Sequence, residues 1–153
     1  MTPIFADMIW PGIFIMQRYY TWWAILLGLV VEYFALRLIA NSTWKKAAIA
    51  VVVVNAASGA IGFFAIPLLT LGWEFVLSYT VYQVIHLGTF NPFGWFSTII
   101  IIAGITTIPE YLLLKYAFKI QFNKKKPWLW WWLANCISVL IAFLSLIIWP
   151  AKF

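Results

Sequence analysis

Charge is what this sequence has least of. Only 9% of its 153 residues are Asp, Glu, Lys or Arg, against 65% hydrophobic, and so few polar side chains do not coat a water-soluble globule of this size. Soluble enzyme folds are excluded on that ground. Cysteine is almost absent: Cys136 stands alone inside an apolar run, so there is no disulfide framework, no CxxC pair and no thiolate metal site. Histidine is equally scarce. His86 has no second His, Cys or carboxylate at metal-ligand spacing, and reads as a satisfied interfacial side chain rather than a ligand. No HExxH, phosphate-binding loop or Ser/His/Asp arrangement occurs. Neither catalysis, nor a cofactor, nor a metal is expected. The first residues carry Pro3, Asp7 and Pro11 and no positive charge before Arg18, the wrong pattern for a cleavable leader, so they are expected to remain in the mature protein.

What the sequence has in abundance is apolar length. A mean hydropathy of +0.97 and 11 tryptophans fit a chain whose solvent is lipid and whose rings gather at the lipid–water boundary. Four stretches are long enough to cross roughly 30 Å of hydrocarbon: Tyr20 to Ala40, Ala47 to Leu69, Trp95 to Phe118 and Trp128 to Trp149. They are continuous rather than alternating, which favours helices over a transmembrane barrel. The expected fold class is all-α integral membrane, with four spans arranged as two tandem helical hairpins.

The basic residues set an orientation. Arg37, Lys45 and Lys46 flank the first short loop, and Lys115, Lys119, Lys124, Lys125 and Lys126 flank the second. Arg18 and Lys152 fall at the opposite ends, together with the acidic Asp7 and Glu74. By the positive-inside rule, loops 41–46 and 119–127 face the cytoplasm and both termini face out, in a bacterial or organellar inner membrane. The net charge of +6 therefore reads as a topology signal that also suits anionic lipid headgroups, not as a nucleic-acid surface. Arg37 and Lys115 are expected to snorkel to the inner boundary. Trp128, Trp130, Trp131 and Trp132 directly follow the lysine cluster and read as an interfacial anchor.

Two shorter segments complete a single membrane domain over 1–153. Residues 1–19, with an apolar stretch from Ile4 to Met16, form an outer interfacial segment. Residues 70–94 form an outer connection whose polar Glu74, Ser78, Gln83 and His86 do not share a helical face, so it is expected to be re-entrant or to pack on a partner.

The hairpins, 20–69 and 95–149, resemble each other. Glu32, Tyr33, Leu36 and Arg37 recur as Glu110, Tyr111, Leu114 and Lys115; Lys45, Lys46, Asn55 and Ser58 recur as Lys125, Lys126, Asn135 and Ser138. In each copy Glu precedes the turn by about as many residues as Asn follows it. A tight hairpin then sets carboxyl and amide at one depth, roughly 17 Å from the turn. Each Glu is expected to bond the Asn of its own hairpin, because an unpartnered carboxyl is costly there. Asn55, Ser58, Gly59 and Gly62 share one helix face, and Asn135, Ser138 and Ala142 share its counterpart. Small residues at that spacing predict close helix contacts.

A membrane carboxyl beside an amide suits proton or cation handling, because the amide donates to the charged form or accepts from the neutral acid. It also suits a purely structural register lock, which duplication of the pair within a packing stripe favours. The leading expectation is a non-catalytic accessory or scaffold subunit of an integral-membrane complex, or a homo-oligomer, held by other membrane subunits or by itself. The alternatives are a small transporter or channel using Glu32 and Glu110, and a lipid-binding protein using the basic loops.

Overall fold

The computed structural model describes residues 21–80, 84 and 92–148. Four helices among them are long and apolar enough to cross a membrane. They are α1 (Trp22–Ile39), α2 (Trp44–Tyr79), α3 (Pro92–Leu112) and α4 (Pro127–Ile148). The segment Ile4 to Met16, and Asp7, Arg18, Gln83, His86 and Lys152, lie outside the described residues.

Local chemistry sets where the helices start and stop. Thr43 caps α2, its hydroxyl accepting from the Lys46 backbone N–H at 3.4 Å, a common way to satisfy a free donor of the first turn. Pro92 and Pro127 open α3 and α4, where a missing N–H costs the helix nothing. Pro109 lies inside α3 and deprives the ladder of one donor immediately before Glu110. One turn later the helix widens into a π-turn, Leu113–Ala117, closed by Phe118 N–H on Leu113 O at 3.0 Å.

The second span is longer than its hydropathy predicts. Instead of ending at Leu69, α2 runs unbroken through Pro67 to Tyr79. Residues 73–79, expected in a separate outer connection, therefore continue α2. One turn after the proline the Thr70 hydroxyl donates back to Ile66 O at 2.6 Å.

The helices pack in a ring in which each touches two neighbours: α1 meets α2 and α4, and α3 meets the same two. Contact is richest between α1 and α4 and sparsest between α1 and α2. Two apolar clusters fill the interior. Near the loops, Leu36, Ile39, Val51, Val54, Leu114 and Trp131 draw on all parts of the ring. At the other end Ile66, Ile99, Ile102, Val139 and Ala142 come from α2, α3 and α4 only. The first half of α1 thus stands outside the second cluster.

The loops pair with each other. Asn41 N–H donates to Gln121 O at 3.2 Å and Asn123 N–H to Ile39 O at 2.9 Å, forming an antiparallel bridge between Ala40 and Phe122. Asn123 Nδ2 adds a bond to Asn41 Oδ1 at 3.2 Å.

Candidate functional site

Between the two apolar clusters the side chains become polar. Glu32 on α1 and Glu110 on α3 are 2% and 1% exposed. Asn55 Nδ2 on α2 donates to Glu32 Oε2, and Asn135 Nδ2 on α4 donates to Glu110 Oε2 at 2.9 Å. These contacts within each Glu–Asn pair are the ones that the spacing around the turns requires.

Further contacts join one pair to the other. Ser58, one turn beyond Asn55, donates from Oγ to Glu110 Oε1 at 2.5 Å. Ser138 Oγ on α4 donates to Gly28 O on α1 at 3.4 Å and lies beside the Glu32 carboxyl. Each of the four helix seams therefore carries a polar contact, and the contacts together form a belt around the bundle. Such a belt fixes helix register wherever lipid removes the hydrophobic drive between helices.

The two carboxyls are served unequally. Glu110 accepts from Ser58 on Oε1, and from Asn135 and Trp131 on Oε2, the indole Nε1 at 3.0 Å. Thr106 orients the amide by donating to Asn135 Oδ1 at 2.9 Å, which leaves Nδ2 to face the carboxyl. Glu32 has two donors, the Asn55 amide and the Ser138 hydroxyl.

Trp131 departs from the expected tryptophan anchor. Trp128 and Trp130 are each 52% exposed, whereas Trp131 is fully buried with its indole on Glu110. The signal was present in the spacing: Trp131, Asn135, Ser138 and Ala142 fall on one face of α4.

The glycines depart too. Gly59 and Gly62 were expected to let helices approach closely. A Cβ built at Gly59 meets nothing within 4 Å, and one at Gly62 meets only Ile66 of its own helix. Both line a cavity instead, while Ala142 is buried in the outer apolar cluster. The close approach occurs at Gly28, where an added Cβ would lie 3.4 Å from Ser138.

The cavity has a volume of about 390 Å³ and is reached by Glu32, Asn55, Ser58, Glu110, Asn135 and Ser138. It lies along the sparse α1–α2 seam, where Ile25, Val52 and Phe63 on its wall are 41%, 55% and 53% exposed. Among the described residues no lysine, arginine or histidine lines it.

No family model, curated protein or solved structure matches the chain. The functional argument therefore rests on this geometry.

The basic residues stay at the loop end. Arg37, Lys45, Lys46, Lys115, Lys119, Lys124, Lys125 and Lys126 are all exposed. Arg37 Nη1 donates to Ser42 O, and Lys45 and Lys115 sit 5.3 and 5.1 Å above the rings of Trp44 and Tyr116. They make no contact with the polar belt and supply none of its charge balance.

Proposed function

We propose that the protein spans a membrane four times and acts as a small transporter or solute-binding protein. Its loops 41–46 and 119–127 face the cytoplasm, and its polar belt lies near mid-bilayer. The observation that carries this reading is the cavity: both glutamates reach the same half-open space, beside amides and hydroxyls able to exchange partners with a solute. A belt that served only to lock helix register has no need to leave its carboxyls, amides and hydroxyls reaching an open space of about 390 Å³. The two Glu–Asn pairs also support descent from a duplicated two-helix unit, with any symmetry axis along the membrane normal.

Proteoliposomes with trapped pyranine test the reading. Wild-type protein is expected to dissipate an imposed pH gradient faster than Glu32→Gln protein of equal thermal stability. Equal rates in the two preparations would remove the transport reading.

A second reading, an accessory subunit or homo-oligomer, is favoured by the far end of α2. That helix has 36 residues, roughly 54 Å at 1.5 Å per residue, against roughly 30 Å of hydrocarbon. Val76 and Tyr79 near its end are 51% and 76% exposed, which suits burial against another membrane subunit. Native mass spectrometry of protein gently extracted from its own membrane distinguishes a subunit or ring from a lone chain.

A further inference from the structure

We infer that the cavity binds an organic ammonium ion with an apolar body, taking the Glu32 carboxylate as its counter-charge and the α1–α2 seam as its entrance. This rests on the binding reading above, and narrows it to one ligand chemistry and one of the two glutamates.

The glutamates differ in what remains for them to do. Both oxygens of Glu110 are taken by donors from Ser58, Trp131 and Asn135, and the amide among these is itself held by Thr106. A ligand approaching Glu110 has to displace a bond already made. Glu32 has two donors, the Asn55 amide and the Ser138 hydroxyl, against three at Glu110, and it faces the same cavity. A carboxyl in apolar surroundings is held ionised only where further donors or a positive charge accompany it. Among the described residues no basic side chain lines the cavity, which leaves an occupant as the source of positive charge there.

Size and lining narrow the occupant further. A volume of about 390 Å³ far exceeds the roughly 30 Å³ of one water and falls in the range of about 300–1,000 Å³ typical of small-molecule sites. Away from the polar belt the wall is hydrocarbon, from Ala24, Ile25, Phe63 and Ile66 among others. A hard metal ion wants about six oxygen ligands, and no group of three or more His, Cys, Asp or Glu that could hold one occurs among the described residues. An anion would meet two carboxyl groups and no cation. A neutral apolar molecule would leave Glu32 without a charge partner. An alkyl or aryl ammonium satisfies both halves of the wall at once, and the Phe63 ring at the rim adds a cation–π surface.

The entrance follows from the packing. The first half of α1 stands outside the outer apolar cluster, and the α1–α2 seam is the sparsest of the ring. At Gly59 a side chain has open space before it, so a larger residue there fills the void without pushing on a neighbour.

The test uses the full chain in lipid nanodiscs, titrated with benzyltrimethylammonium and with neopentylbenzene, its uncharged isostere. Bound probe is measured by equilibrium dialysis against empty nanodiscs. Wild-type protein is expected to bind the ammonium saturably, and the isostere roughly tenfold or more weaker. Glu32→Gln should weaken the ammonium by a similar factor and leave the isostere unchanged, Glu32→Asp should restore most of the affinity, and Gly59→Leu should abolish both. If the two probes bind alike, or Glu32→Gln binds the ammonium as wild type does, while Gly59→Leu still blocks, the ligand chemistry is wrong and the cavity reading stands. If neither probe saturates the wild type, or Gly59→Leu changes nothing, both fall. Thermal unfolding of each variant separates lost binding from lost fold, and the Gly59→Leu arm involves no buried charge.

Discussion

Ser58 and Glu110 meet across the α2–α3 seam, hydroxyl to carboxyl at 2.5 Å, with both residues buried. The bond joins the first two helices to the last two at the level of the polar belt, and it has no counterpart in the spacing of either pair alone. Ser58→Ala leaves one oxygen of a buried carboxyl without its donor. We expect a loss of about 1–2 kcal/mol, read as a lowered unfolding midpoint in detergent. A midpoint within error of wild type would show that the contact contributes nothing to stability.

Glu110 and Glu32 should respond differently to the same change. Replacing Glu110 by Gln puts an N–H₂ donor where only donors point in, from Ser58, Trp131 and Asn135, so at least one former bond becomes a clash of like dipoles. A destabilisation of about 2 kcal/mol or more is expected. Glu32→Gln disturbs two bonds, from Asn55 and Ser138, and should cost less. Parallel thermal melts of the two variants decide it, and equal losses would contradict the unequal roles of the carboxyls.

Two neighbouring tryptophans offer a matched comparison. Trp131→Phe removes the indole donor to Glu110 and part of a fully buried ring, and should cost about 2–3 kcal/mol. Trp130→Phe, at a half-exposed position, should fall within about 0.5 kcal/mol of wild type. Intrinsic fluorescence during denaturation follows both.

The pairing of the loops is open to a covalent test. Ala40 and Phe122 oppose each other in the antiparallel bridge, flanked by the Asn41–Gln121 and Asn123–Ile39 bonds. This is the closer kind of pair, about 4.5 Å between Cα atoms, within disulfide reach. Ala40→Cys with Phe122→Cys, in a Cys136→Ala background, should oxidise readily to a faster-migrating species on non-reducing gels. Persistent free thiols would place the loops apart.

Helix positions and the Glu–Asn contacts were legible because each depends on one variable, the rise per residue on either side of a turn. The ends of α2 were not: hydropathy falls after Leu69, but a fall in hydropathy does not break a helix, and neither Pro67 nor Gly72 stops this one. Contacts between the first and second pairs of helices, such as Ser58 with Glu110, depend on how the helices rotate against each other, which spacing within one pair leaves free. Trp131 was readable from its place on the Asn135 face, yet its neighbours in a tryptophan run suggested the boundary instead. Gly59 shows the sharpest divergence. A small residue permits two helices to approach, but whether they do so is decided by their partners, and here the helices stand apart.

The Ala40–Phe122 bridge stitches the bundle shut at its lysine-rich end. With the loops tied, any parting of α1 from α2 along the sparsest seam is restrained at the lysine-rich end, while α1 stays fastened to α4 by the richest contact of the ring.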